Sequence, residues 1–405
     1  MKRALLVALP LLLVVVGCPR RVAQDLKPAE LKKFTSAVEL KQYLADQLQP
    51  RYNPWGWLFG CSAPSFNQGL SGDTTPKDYS TTNLQEAGVD ESDVIKTDGA
   101  YFYILANQKL DVVKATPPDG MMVAGHLDLD LPGSELYLNA GKAIVLAKSS
   151  YSYYGYAAAS PGGNAAATTE VPWLESQPTF DVYVVDLANP AEPAQLKKYS
   201  FQGTLVTSRM IGGKLYLVSH LYPDTGEITA PNGVENTDVE DILPKYRTVQ
   251  AGQESVQPLV AWGDVYHPVN PDGYSLINVT TIDTANPDAE PVSESIMANY
   301  GVIYASTQAL YVTSTNYDWY GFEREDTEVH KFDLGGESAA YVASGSVPGW
   351  LLNQFSMGEK DGFLRIATTE GHALPPMDLV GAIGSMFIGT LAASENHVVV
   401  LEQVE

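Results

Sequence analysis

"YSTTNLQEAGVDESDVIKTDGAYFYIL", residues 79–105, packs Asp90, Glu91 and Asp93 into four positions and then runs through Asp98 and Gly99 into an aromatic stretch. Two readings compete for it. The acids are hard oxygen donors of the kind that suit Ca²⁺, yet the spacing lacks the glycine and the terminal Glu of an EF-hand loop. On a strand, moreover, neighbouring side chains point to opposite faces. Asp-Gly between apolar runs is a strong short-range hairpin signal. The stretch therefore reads chiefly as the start of a sheet, with Asp90, Glu91 and Asp93 kept as a candidate Ca²⁺ set.

Beyond it the chain is rich in strand patterns. "KLDVVKA", "SELYLNAG", "KAIVLAKS", "FDVYVVDL", "KLYLVSH", "ALYVTSTN", "GFLRIATT" and "HVVVLEQV" are short, rich in Val, Ile, Leu and Tyr, and bounded by Gly, Asn, Asp or Pro. No long helical period interrupts them, which predicts an all-β fold and argues against alternating helices and strands. Weak repetition sharpens this, because "VYVVDLANPAEPAQLKKYSFQG" (182–203) aligns with "VTTIDTANPDAEPVSESIMANYG" (279–301). A unit of turn, Leu-Tyr strand, strand ending in Asp, Asn-Pro turn and final strand cannot bury its own face, and such units arranged radially make a β-propeller of four-stranded blades. The blades are expected at 93–131, 132–203, 204–299 and 300–347, with another from 348. The last strand pattern has no returning partner, so the propeller is expected to be incomplete in this chain.

With those residues in view, the opening stretch resembles the N-terminal signature of a family of secreted bacterial proteins whose β-propeller domain is distantly related to WD repeats. The resemblance rests on Thr82, Asn83, Gln85, Gly88, Val89, Asp90, Glu91, Asp93, Lys96, Thr97, Asp98 and Gly99, with Leu84 and Ser92 as the departures. The helix before it, "EDILPKYR" (240–247) and "YHP" (266–268) also resemble that family, so the resemblance covers most of the mature chain. It implies a fold; it implies no particular activity.

The N-terminus reads as an address. Lys2 and Arg3 precede an apolar run from 4 to 16, then Gly17 and Cys18. That resembles a bacterial lipobox, with residues 1–17 removed and Cys18 carrying lipid, since the run is too short to span a bilayer. Acyl chains alone hold a protein at a membrane. Residues 18–78 are expected to form a short helix and linker, and 79–405 the propeller. Leu31, Phe34, Val38, Leu40, Leu44 and Leu48 carry the helical spacing. With Cys18 committed to lipid, Cys61 has no partner in the chain and a disulfide framework is excluded.

Composition narrows the function. The 405 residues carry a formal charge of −23, and 45% are hydrophobic. Such a charge repels polyphosphate and argues against nucleic acid as a partner. The motifs of nucleophile elbows, zinc proteases, Rossmann turns and Walker loops are missing. Asp128 and Asp130 share a strand face, which reads as a solvated edge. His267 lies in a long insertion, and Trp319 and Tyr320 in an aromatic one, "NYDWYGFERED". These three are the candidate binding residues, because Tyr and Trp combine contact area with a polar handle. The expectation is a lipid-anchored envelope protein, outside the cytoplasm, whose propeller binds a protein or carbohydrate ligand. The alternative is a hydrolase or metal-dependent enzyme with its site at the central mouth.

Overall fold

A computed structural model describes residues 29–48, 84–148, 177–230, 232–270, 273–316, 326–370 and 394–404. The chain starts with β1 (Leu31–Lys33) and α1 (Ala37–Leu48) and then enters a series of antiparallel meanders. The first sheet contains β2 (Ile95–Thr97), β3 (Tyr101–Ala106), β4 (Lys109–Lys114) and β5 (Met122–Asp128). The second is built on β6 (Gly133–Asn139), β7 (Lys142–Lys148), β8 (Thr179–Asp186) and β9 (Ala194–Gln202). The third starts with β10 (Thr204–Ile211) and β11 (Lys214–Leu221). An insertion comes next: α2 (Gly233–Asn236), α3 (Val239–Ile242), β12 (Lys245–Gln250), β13 (Gln253–Pro258) and β14 (Val265–Pro268). The third sheet then ends with β15 (Leu276–Asp283) and β16 (Val292–Met297).

The fourth sheet is β17 (Ile303–Ala305), β18 (Ala309–Asn316), β19 (Asp326–Asp333) and β20 (Ala340–Pro348). The fifth has three strands among the described residues: β21 (Met357–Lys360), β22 (Phe363–Glu370) and β23 (Glu395–Glu402). All five sheets lie at the places the repeat pattern assigns to blades, and the fold is an all-β propeller.

Turn chemistry makes each meander. Ala140 and Gly141, Gly212 and Gly213, and Asp361 and Gly362 each place two successive residues at positive φ. That is the geometry of a two-residue hairpin whose twist matches its strands. A second tie recurs one strand later: the N–H groups of Ala115, Leu187, Thr284 and Leu334 donate to the carbonyls of Ala100, Gly141, Gly213 and Gln308. Just before three of these, Asp186, Asp283 and Asp333 turn the chain by accepting from the N–H two residues on, in Ala188, Ala285 and Gly335. The aligned repeats therefore occupy equivalent places in the second and third sheets.

Because the second, third and fourth sheets are apolar on both faces, the core is a series of layers between neighbours rather than a single centre. Leu105, Leu110 and Val112 meet Leu136, Val145 and Tyr183 between the first and second sheets. Phe180, Tyr199 and Phe201 meet Leu215 and Leu217 between the second and third. Val218, Ile277 and Val279 meet Leu310, Val312 and Phe332 between the third and fourth. Tyr304, Tyr311 and Val347 meet Leu364 and Ile366 between the fourth and fifth.

The insertion staples sheets together. β12 pairs with β9 and so joins the second sheet, while β14 pairs with β16 in the third. The N-terminal segment docks on this insertion, as β1 pairs with β14 and α1 buries Leu40 and Leu44 beside Ile242 and Val260. The helical spacing over 31–48 is only partly helix. Leu31 and Phe34 are buried from an extended segment, whereas Val38 is exposed. The helix starts where Ser36 Oγ accepts the Glu39 N–H and Glu39 reaches back to the Thr35 N–H. This is a capping arrangement that outweighs the apolar period before it.

Candidate functional site

The opening stretch does more than start a sheet: residues 85–97 cross the inner edges of all five sheets among the described residues. Gln85 Nε2 donates to the carbonyls of Gln354 and Met357 at the fifth sheet, at 2.9 and 3.2 Å. Glu86 accepts from the Tyr304 hydroxyl of the fourth at 2.6 Å. Val89 is buried, and Asp90 and Met210 exchange backbone hydrogen bonds of 2.8 and 3.0 Å on the third. Asp93 N–H donates to Leu136 of the second, and β2 is itself the inner strand of the first. The segment satisfies edge backbone groups that would otherwise be left open.

This path separates the three acids. Asp90 pairs with Lys96 at 2.9 Å, and the same ammonium donates to the Glu91 carbonyl. The Glu91 carboxylate faces Arg209 at 3.6 Å, while Arg209 also donates to Thr207 Oγ1, the Ser208 carbonyl and Gln354 Oε1. Asp93 accepts from the Val94 N–H. Among the described residues, the one group of three that brings ligand atoms within 4.8 Å is Glu370, Glu395 and His397. Asp90, Glu91 and Asp93 do not form one, because the bridges to two different sheets splay them apart. Asp98 behaves as the turn residue. Partial burial pushes its carboxyl up, but the N–H groups of Tyr101 and Ala100 and the Tyr103 hydroxyl outweigh that and hold it below the usual range.

Where the segment meets the fourth and fifth sheets there is a cavity of about 290 Å³. Its walls are Glu86 and Ala87, the turn at 306–308 and the turn at 359–362. Tyr304, 1% exposed, links two walls by donating to Glu86 and accepting the Glu359 N–H at 2.7 Å. The Glu359 carboxylate is held by Ser306 Oγ and lies 3.7 Å from Lys331 Nζ. Burial first, and then the Glu86 carboxylate, push the Tyr304 phenol far above its ordinary value, so it stays a donor. Burial and Glu359 do the same to Tyr311, whose ring stacks 5.8 Å from Tyr304. The carboxylates thus brace the walls, and the turn residues Gln308, Lys360 and Asp361 complete the lining.

The other sequence candidates scatter. His267 stacks on Phe34 at 4.5 Å with Tyr43 at 5.2 Å, so it seats the N-terminal segment against the insertion. Asp128 pairs with Lys109 on an outer strand, whereas Asp130 turns to Lys198, so the two diverge. Cys18, Trp319 and Tyr320 lie outside the described residues. Sequence reasoning missed Tyr304, Glu359 and Arg209. Glu86 carried a usable signal in its place beside the Gly88 turn, but its partner lies 218 residues away.

A sequence profile described as the beta propeller domain matches residues 79–404. An uncharacterised protein of Archaeoglobus fulgidus is 24% identical over an alignment that covers 84% of this chain and 62% of that one. An uncharacterised protein of Methanocaldococcus jannaschii is 24% identical over 74% of this chain and 51% of its own. The chain therefore spans between about half and three fifths of the length of these relatives. The crystal structure of the N-terminal domain of Nup159 aligns with 80% of this chain and 60% of that chain, at 8% identity and a TM-score of 0.34. With the profile match running through every sheet, the chain belongs to the beta propeller domain family.

Proposed function

We propose that this protein is an interaction module: a propeller held at the outer side of a cell membrane by lipid on Cys18, presenting the rim between its fourth and fifth sheets to a protein partner. The observation that carries the reading is how the rim uses its ionisable groups. Glu86, Glu359 and Lys331 are engaged with Tyr304, Ser306 and one another, so they shape a cleft rather than stand ready to move a proton. A general base needs its lone pair aimed at the substrate. The formal charge of −23 favours a basic or polar partner and speeds its encounter. The lipobox-like Gly17 and Cys18 support the anchor.

The test is crosslinking of the full-length protein in native membranes, comparing wild type with Gln308→Ala/Lys360→Ala/Asp361→Ala. A protein crosslinked by wild type and lost in the triple variant supports the rim. A crosslink that the variant leaves unchanged moves the site elsewhere, and a carbohydrate retained by wild type alone replaces the partner class. Mass analysis of the mature N-terminus tests the anchor separately, and an unmodified Cys18 removes it.

A further inference from the structure

We propose that the far end of the fifth sheet is a binding site for a divalent first-row transition metal, with Glu370, Glu395 and His397 as its protein ligands. The antiparallel register places Glu370 directly opposite Glu395 and Thr368 opposite His397. Residues two apart share a strand face, so both carboxylates and the imidazole project from one side of β22 and β23. It is the side that carries Leu364, Ile366, Val399 and Leu401 into the core.

The geometry is close to that of a coordination shell. The three ligand atoms lie within 4.8 Å of one another, and His397 Nε2 is 3.1 Å from Glu370 Oε2. Ligands held about 2.0–2.2 Å from one ion are necessarily ~3–4.4 Å apart, so small rotations of exposed Glu395 complete the set.

One imidazole with two carboxylates suits Zn²⁺ or a neighbouring first-row ion, whereas Ca²⁺ takes oxygen ligands and soft metals take thiolates. The ion would clasp the two strand ends that flank residues 371–394.

The experiment is calorimetry of the full chain, freed of metal and with any free thiol alkylated, titrated with Zn²⁺, Ca²⁺ and Mg²⁺. One Zn²⁺ per chain is expected, bound more tightly than Ca²⁺ or Mg²⁺. His397→Ala should weaken it by roughly a hundredfold and Glu395→Gln by at least about tenfold. Because Glu395 is exposed, Glu395→Gln keeps the sheet intact, and an unchanged urea midpoint in metal-free buffer checks this. Asp128→Asn, at an exposed carboxylate on the first sheet, should leave Zn²⁺ binding as it is. No saturable heat, affinity indifferent to both ligand variants, or loss of binding in Asp128→Asn would each overturn the assignment.

Discussion

Replacing Tyr304 with Phe isolates the hydroxyl that ties the opening segment to the fourth and fifth sheets. The ring keeps its place, 1% exposed and stacked on Tyr311, so little packing is lost. Two hydrogen bonds go. One is the 2.6 Å donation to Glu86, of the charge-assisted kind that contributes about 1.5–3 kcal/mol. Glu86 is half-buried, so water takes over part of that and the lower end applies. The other is the Glu359 N–H, 2.7 Å from the hydroxyl, which loses its acceptor at a cost of about 1–3 kcal/mol. Together they predict a loss of ~2–4 kcal/mol. Urea unfolding followed by tryptophan fluorescence measures it, and a double-mutant cycle with Glu86→Gln should return a coupling of ~1–2 kcal/mol. Limited proteolysis should also show new cleavage between residues 84 and 94. A Tyr304→Phe variant within about 0.5 kcal/mol of wild type, with no coupling to Glu86, would refute the idea that this segment fastens the inner edges.

The remaining predictions concern groups buried between sheets. Lys198 and Asp181 pair at 3.0 Å with side chains only 8% and 5% exposed, so Lys198→Met, which leaves the carboxylate buried, should cost about 3–5 kcal/mol. Lys198→Met/Asp181→Leu should recover most of that in the same urea assay. Gly349 sits at φ +78, and a Cβ there would lie 2.4 Å from the Thr369 carbonyl oxygen. Gly349→Ala should therefore break the Trp350 to Thr369 bridge and cost roughly 3 kcal/mol from backbone strain plus lost hydrogen bonds. His330 is fully buried beside Ser344, and burial pushes its imidazole down to about 4. A depressed histidine favours the folded state only while neutral. Its contribution is complete above about pH 6.5 and is lost as pH falls toward 4, to a total of ~3 kcal/mol. Unfolding midpoints at pH 7 and pH 4.5 should converge more in His330→Gln than in wild type, and equal pH dependence in the two would refute it.

Sheet positions were readable because their causes are local. Two-residue turns such as Gly212 with Gly213 and the Asp-x-Ala-Asn-Pro corners announce themselves in sequence, and strand faces follow from alternation. The stitching was unreadable because it depends on partners far along the chain. Nothing near Lys245 signals that β12 will pair with β9 of the preceding sheet. Likewise the apolar spacing at Leu31 and Phe34 is the same whether a helix or an extended segment buries them, and only Ser36 with Glu39 decides. The carboxylates were misleading for a related reason. Acid clustering in sequence records neighbours along the chain, while a ligand set is made by register, which brings Glu370 to Glu395 from across residues 371–394.

The opening segment also explains why acids crowd there at all. A strand-like segment lying across five inner edges passes Lys96 and Arg209, and each cation near the centre needs a counter-charge close by. Asp90 and Glu91 supply those charges from adjacent positions because the chain alternates faces, one acid turning to Lys96 and the next to Arg209. The same alternation that prevents the pair from gripping one ion lets it neutralise two different cations. The crowding is therefore a consequence of threading the centre. Asp90→Asn and Glu91→Gln should accordingly destabilise the fold through different partners, and their effects should add.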